Sequence, residues 1–232
     1  MTVRRGRSPA SHTRAALLAA AERRFSESGF SETRLEDIAS DVGIQRAAIF
    51  YHFRDKQALY RAVLTDVFGE LIHRAHEALT TGGAPAARIE RGIEVWLSYV
   101  EGRPSVARLI LREAANSQPG QRRTLLEETA PLIDEFRRVF EEGRRSGRLR
   151  PIQTDPFQFL SAVVGATVFT IAALPTLLPE LPLDPLSPAA FAAHRRDVHR
   201  IARRLLGVPT PRPAARPQRP STAGRQTAAS GT

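Results

Sequence analysis

At 232 residues the chain is long enough for one or two packed units. With 42% hydrophobic and 25% charged residues, its composition is that of an ordinary soluble globular protein. It has no cysteine, which excludes a disulfide framework, a thiolate metal site and a cysteine nucleophile and fits a reducing cytoplasm. The formal net charge is +10, and much of it sits at the ends. Arg4, Arg5 and Arg7 precede residue 11, and Arg212, Arg216, Arg219 and Arg225 follow residue 207, with no acid in either stretch. Such a distribution suggests a polyanionic partner, nucleic acid or an acidic membrane surface.

The opening residues, MTVRRGRSPA, carry charge but no apolar segment behind it, so a secretory signal is not expected there. Residues 1–10 are expected to form a basic disordered arm. From residue 11 to 28 apolar positions recur at helical spacing, with Leu18, Ala21 and Phe25 on one face and Leu17 and Ala20 beside it. Ser28-Gly29 ends that helix. Thr33-Arg34-Leu35-Glu36 has the spacing of a capping box, so Thr33 is expected to cap the second helix. Gly43 interrupts it, and a short third helix runs from about residue 45 to 51. Asp55 has the character of an N-cap for a fourth helix, on which Leu59, Val63, Val67 and Leu71 recur.

Beyond a Gly- and Thr-rich break, Ile89, Ile93, Trp96 or Leu97, and Val100 line a fifth helix. A sixth follows Pro104. A long seventh, about residues 121–146, turns Leu125, Leu132, Phe136 and Phe140 inward. From Pro156 to Leu174 nothing is charged, and the five prolines between residues 175 and 188 predict an extended connector. A last helix carries Phe191, Val198, Ile201 and Leu205 on one stripe. Residues 207–232, rich in Pro, Ala, Arg, Ser and Thr, are expected to be a disordered basic tail. The chain therefore reads as all-α.

Residues 35–54 read as a helix-turn-helix. Two short helices that cross closely need a small residue at the crossing, supplied by Ala39. Four places later they need one that tolerates positive φ, supplied by Gly43. Ile38, Val42, Ile44 and Ile49 fall where the pair must bury apolar groups. That leaves Gln45, Arg46, Ala47, Ala48 and Phe50 for the outer face of the second helix, the face that enters a major groove. Arg46 suits a bidentate contact with guanine and Gln45 one with adenine, while the alanines permit close approach. Tyr51 and His52 can donate to phosphate oxygens. Lys56, the only lysine, adds a point charge at the start of the fourth helix.

In Thr33-Arg34-Leu35-Glu36-Asp37-Ile38-Ala39, Gly43-Ile44, Ile49-Phe50-Tyr51-His52-Phe53, Asp55-Lys56 and Leu59, the sequence resembles the tetracycline-repressor (TetR) family of bacterial transcriptional regulators. The match is specific over about residues 12–65. Beyond residue 85 only the number and length of the helices are similar. The resemblance implies an N-terminal three-helix helix-turn-helix DNA-binding domain (11–54) and a C-terminal helical ligand-binding and dimerisation domain (55–206). It implies a homodimer, joined through the two C-terminal helices, that represses transcription from a palindromic double-stranded operator until a small-molecule effector releases it. Lys56, His52 and Tyr51 then contact phosphates, Arg46, Ala47 and Ala48 face bases, and Thr33, Gln45 and Phe50 belong to the same DNA-facing set. Gln45 stands where the family often has serine, and Ala47-Ala48 where it often has glycine and threonine. The operator is therefore not transferable.

Trp96, Tyr99, Val100, Phe136, Phe140, Phe159 and Val163 are the residues expected to line an effector cavity, and their character favours a lipophilic or aromatic ligand. The uncharged run at 156–174 reads as a helix covered on both sides, by its own domain and by the partner subunit, rather than a membrane span. His73 and His76 have a helical ligand spacing but no carboxylate or cysteine beside them, so neither metal nor other cofactor is expected. There is no Gly-rich phosphate loop, no Gly-x-Ser-x-Gly elbow and no HExxH, so no enzymatic activity is expected. The competing reading is a ligand-independent, architectural DNA-binding protein.

Overall fold

The computed structural model describes residues 9–115, 119–152 and 155–208. The basic residues Arg4, Arg5 and Arg7, and the tail from residue 209 with its four arginines, lie outside them. The described residues form α1 (Pro9–Glu32), α2 (Leu35–Val42), α3 (Arg46–His52), α4 (Lys56–Thr80), α5 (Pro85–Gly102), α6 (Ser105–Ala115) and α7 (Pro119–Arg145). They continue as α8 (Pro156–Val168), a π-helical turn (Phe169–Ala173), α9 (Leu174–Leu177) and α10 (Pro188–Leu205). Among the described residues there is no strand, so the all-α expectation holds.

In α1 the helical path breaks at Gly29, whose φ of 83° no L side chain adopts readily. Leu17, Ala20, Ala21 and Phe25 are buried against α2, α4 and α6. The capping box does not form. Arg34 is the residue at the N-cap of α2 and makes no side-chain cap bond. The Thr33 hydroxyl instead donates backward, to the carbonyls of Gly29 (2.7 Å) and Arg24 (3.2 Å). The break in α1 brings those carbonyls within reach, Gly29 O also accepting the Thr33 N–H at 3.4 Å, and they compete for the hydroxyl more successfully than the α2 terminus does. Glu36 is thereby left to pair with Arg46 at 3.2 Å.

The turn between α2 and α3 follows the sequence reading. Gly43 is left-handed (φ 73°, ψ 32°), its N–H reaches the Ser40 carbonyl, and Ile44 N–H reaches the Ala39 carbonyl at 3.0 Å. Ile38, Ala39 and Ile49 are buried at the crossing, with Val42 and Ile44 packed at its edge. Asp55 caps α4, its carboxylate accepting from Ala58 N–H at 2.7 Å. Leu59, Val63, Val67 and Leu71 then carry the core along α4, which packs on α1, α5 and α7.

Two features of the C-terminal half differ from the sequence reading. The uncharged helix does not end at Pro175 but continues to Leu177, so the connector begins later. Proline cannot donate to the ladder, and its ring crowds the carbonyl four residues back. The π-helical turn just before it, where Leu174 N–H bonds Phe169 O, widens the helix and accommodates the ring. On α10, Phe191, Val198 and Ala202 form the buried stripe, whereas Ile201 is 45% exposed. The end of α10 is pinned to the chain after α7: Leu206 and Leu205 carbonyls accept from Arg150 and Ile152 N–H at 3.0 and 2.9 Å.

Candidate nucleic-acid interface and ligand cavity

α3 is held by one buried side chain of its own, Ile49, and by Phe53 just after it. The rest of its surface is open. Gln45, Arg46, Ala47 and Ala48 are exposed, Phe50 is 45% exposed and Tyr51 83%. An aromatic side chain so little covered has no part in the core, and its hydroxyl is free to meet a partner. Its ring meets that of His52 edge to face, centroids 5.1 Å apart. The Arg46 guanidinium lies over the Phe50 ring at 5.6 Å and against Glu36, which holds the long side chain over the exposed face.

Lys56 is half-buried. Its ammonium donates to the Ser31 carbonyl (3.0 Å) and lies 4.6 Å above the Phe30 ring, and burial lowers its pKa. It keeps donors to spare at the α4 N-terminus, where the helix dipole favours an anion. Thr33 is different. It is buried, with its hydroxyl turned into α1, and so does not join the exposed face. Arg54, which the sequence reading passed over, is 85% exposed beside its ion-pair partner Asp55. An arginine next to a cap residue gives no sequence signal beyond its charge.

The helix-turn-helix is tied to the rest of the molecule by charged groups. Arg24 and Arg23 of α1 both reach Asp41 of α2 at 2.5–3.0 Å. The hydrogen bond from Arg24, with that from Arg23, holds the Asp41 carboxyl down at about 2. Farther along α1, Glu22 is buried and meets Arg103 at the end of α5 at 2.5 Å, with Ser105 also donating to it. Arg103 also reaches Asp66 of α4 (2.7 Å) and the Tyr99 hydroxyl (3.0 Å), and the Glu22 hydrogen bond above all raises its pKa. Arg112 of α6 donates to the Ser26 and Glu27 carbonyls, just before the Gly29 break in α1. Beside it, the buried Tyr60 hydroxyl bonds Glu113, and burial first, then that bond, raise the Tyr60 pKa.

Between α4, α5, α7 and α8 lies an apolar cavity of about 330 Å³. Of the seven residues expected to line an effector cavity, Trp96, Phe136, Phe159 and Val163 line this one. Tyr99, Val100 and Phe140 do not. Tyr99 is turned to α4, donating to the Val67 carbonyl at 2.8 Å, while Val100 and Phe140 are completely buried in the surrounding core. The walls that sequence reasoning missed come mainly from α4 and the first turns of α5: Phe68, Leu71, Ile72, Ala75, Leu79, Ile89 and Ile93. Their helical recurrence marks them as inward-facing and cannot distinguish a wall from a filled core. Among the described residues no group of three or more His, Asp or Glu gathers as a metal site.

Residues 17–63 match the family model for bacterial regulatory proteins of the tetR family, and residues 85–201 match a tetracyclin repressor-like C-terminal domain. The HTH-type transcriptional regulator RutR of Escherichia coli is 32% identical over 152 residues, covering 66% of this chain and 70% of RutR. The HTH-type transcriptional regulator TtgR of Pseudomonas putida is 40% identical over 77 residues, 33% of this chain and 34% of TtgR. In fold, the chain is similar to a tetR-family regulatory protein from Rhodococcus RHA1 (TM-score 0.67, 18% identity, 85% of this chain and 98% of that one). It is also similar to FadR from Bacillus subtilis in complex with stearoyl-CoA (TM-score 0.63, 17% identity, 84% and 98%).

Proposed function

We propose, from the premise that this chain belongs to the tetR family of bacterial regulatory proteins, that it is a homodimeric repressor released from a palindromic operator by a small lipophilic ligand. The observation that carries this reading is the open outer face of α3: a helix with one buried side chain presents Gln45, Arg46, Ala47, Ala48, Phe50 and Tyr51 to solvent. The N-terminal part of such a helix meets base edges, while Tyr51, His52 and Lys56 flank it for phosphates.

The dimer reading rests on α8 and α10. The stretch Pro156–Leu177 is apolar and long enough to cross a membrane, yet only 28% of its most apolar window is buried within the single chain. Phe169 and Leu177 are more than half exposed, and Ile201 on α10 is 45% exposed. The two helices pack on each other, so a second copy laid against them would cover these exposed apolar side chains without any bilayer. Two copies of α3 would then reach successive major grooves, about 34–36 Å apart.

Ligand release follows as a population shift. A compound in the cavity bears on α4, which begins at Lys56 beside the DNA-facing residues. It moves the dimer off DNA by no more than its differential affinity for the two states. The experiment is a selection of the full chain against a random duplex library at near-physiological salt. An enriched palindrome is the expected result. Binding without enrichment that disappears as salt rises would overturn the reading in favour of charge-driven contact.

A further inference from the structure

The surface around the start of α3 carries an acid. Glu36, in the first turn of α2, brings its carboxylate to 3.2 Å from Arg46 Nε, and both side chains are more than half exposed. The helix terminus alone does not require it there, since Asp37 in the same turn also meets the α2 dipole. Nor does the fold, because a pair so exposed adds little to stability. Beside a polyanion such a carboxylate is a cost, for it repels phosphate. The pairing acts on one particular side chain. Arg46 meets both Glu36 and the Phe50 ring, with its guanidinium carbon 5.6 Å from the ring centroid. The closest approach of Glu36 is at Nε, so the pairing leaves the two outer nitrogens of the fork for a bidentate contact.

We infer that Glu36 is a positioning residue that sets specificity: it holds Arg46 for guanine and opposes the contacts Arg46 would otherwise make with phosphates. This rests on the reading of the outer face of α3 as the face that meets base edges. An arginine has much rotamer freedom to lose, and a guanidinium steadied before contact loses less of it. Steadying alone would tighten every complex, and the charge of Glu36 supplies the difference between sites. At guanine the outer nitrogens of Arg46 bond O6 and N7 while the pairing through Nε persists, so the carboxylate stays neutralised. At another base the fork has no such pair of acceptors, and a free arginine would swing to the backbone, which is the same in every sequence. Leaving Glu36 for a phosphate strands the carboxylate beside the strand, so that alternative is penalised. The acid thus lowers affinity for wrong sequences more than for right ones.

The test uses the full chain, the operator obtained by selection, its single-base-pair variants and an unrelated duplex of equal length. Affinities are measured for the native chain, Glu36→Gln, Arg46→Ala and the double variant. Glu36→Gln is expected to bind the unrelated duplex about threefold more tightly, a gain that shrinks as salt rises. Its affinity for the operator should stay within about twofold of the native value, while its preference at the positions read by Arg46 falls about fivefold. In the Arg46→Ala chain the same substitution should raise affinity for every duplex alike and change no preference. An unaltered preference in Glu36→Gln, or an equal weakening on all duplexes, would overturn the inference and leave Arg46 as a base reader. So would a change of preference that persists in the Arg46→Ala chain, for Glu36 would then contact a base itself, as an acceptor from cytosine N4 does. If selection enriches no operator, or Arg46→Ala relaxes no position, the reading of α3 fails and this inference with it.

Discussion

Asp41 has no visible role in the sequence, where it is one acid near a turn. In the structure it receives both Arg23 and Arg24 and fastens α2 to α1. Because its carboxyl is held well below the usual 3.8, at about 2, the contribution is present in full above the ordinary value. It is lost as pH falls through the depressed one. Asp41→Asn should therefore lower the stability of the native chain at neutral pH, and the gap should close between about pH 4 and pH 2. Denaturant unfolding of both proteins across that range measures it, and a gap independent of pH would remove the ion pairs as its cause. Thr33 teaches the converse. Thr-x-x-Glu is the same string whether the hydroxyl caps the following helix or turns back to the preceding one. Only the carbonyls of Arg24 and Gly29 decide, brought within reach by the break in α1 at a glycine four residues upstream.

At the scale of elements, much was legible. Periodicity found the inward face of α4, and Gly43 announced the turn of the helix-turn-helix, because the left-handed conformation there has a local cause. Pro175 reads as a helix end because its local rule is sound for a regular α-helix. A π-turn ahead of it relaxes that rule, and only packing against α6 and α8 fixes the widened turn. Tyr99, Val100 and Phe140 look like cavity residues because a buried apolar face is alike in sequence whether it borders a void or another side chain. Two glycines separate strain from space. A Cβ on Gly43 would meet nothing within 4 Å, so Gly43→Ala carries the left-handed strain alone, about 1–2 kcal/mol. At Gly207, with nearly the same φ, a Cβ would stand 2.0 Å from the Arg150 carbonyl oxygen. Gly207→Ala should lose a further ~1–3 kcal/mol in denaturant unfolding. Equal losses would mean that the junction of α10 with the chain after α7 yields easily.

For the whole molecule, the proposed switch would couple its two ends through Arg103. It joins α1 at Glu22, α4 at Asp66 and α5 at Tyr99, and none of these pairings is visible in sequence because the partners are far apart along the chain. Arg103→Ala leaves the buried Glu22 carboxylate short of its cation. Since both side chains retain some exposure, the loss should be about 2 kcal/mol, below the ~3–5 kcal/mol of a fully enclosed pair. The same variant should still bind DNA and ligand while the ligand's effect on operator affinity shrinks. Operator titrations with and without a bound ligand measure that effect, and an undiminished response would place the coupling elsewhere.

The central claim is that the outer face of α3 reads base pairs. The most direct measurement is the affinity of the native chain and of Arg46→Ala for the selected operator and for its single-base-pair variants, at fixed salt. The account predicts that Arg46→Ala loses about tenfold or more on the operator and no longer discriminates at one symmetric pair of positions, with discrimination elsewhere retained. Unchanged affinity, or an equal loss on every sequence, would contradict it and reduce Arg46 to a side chain held by Glu36 and Phe50.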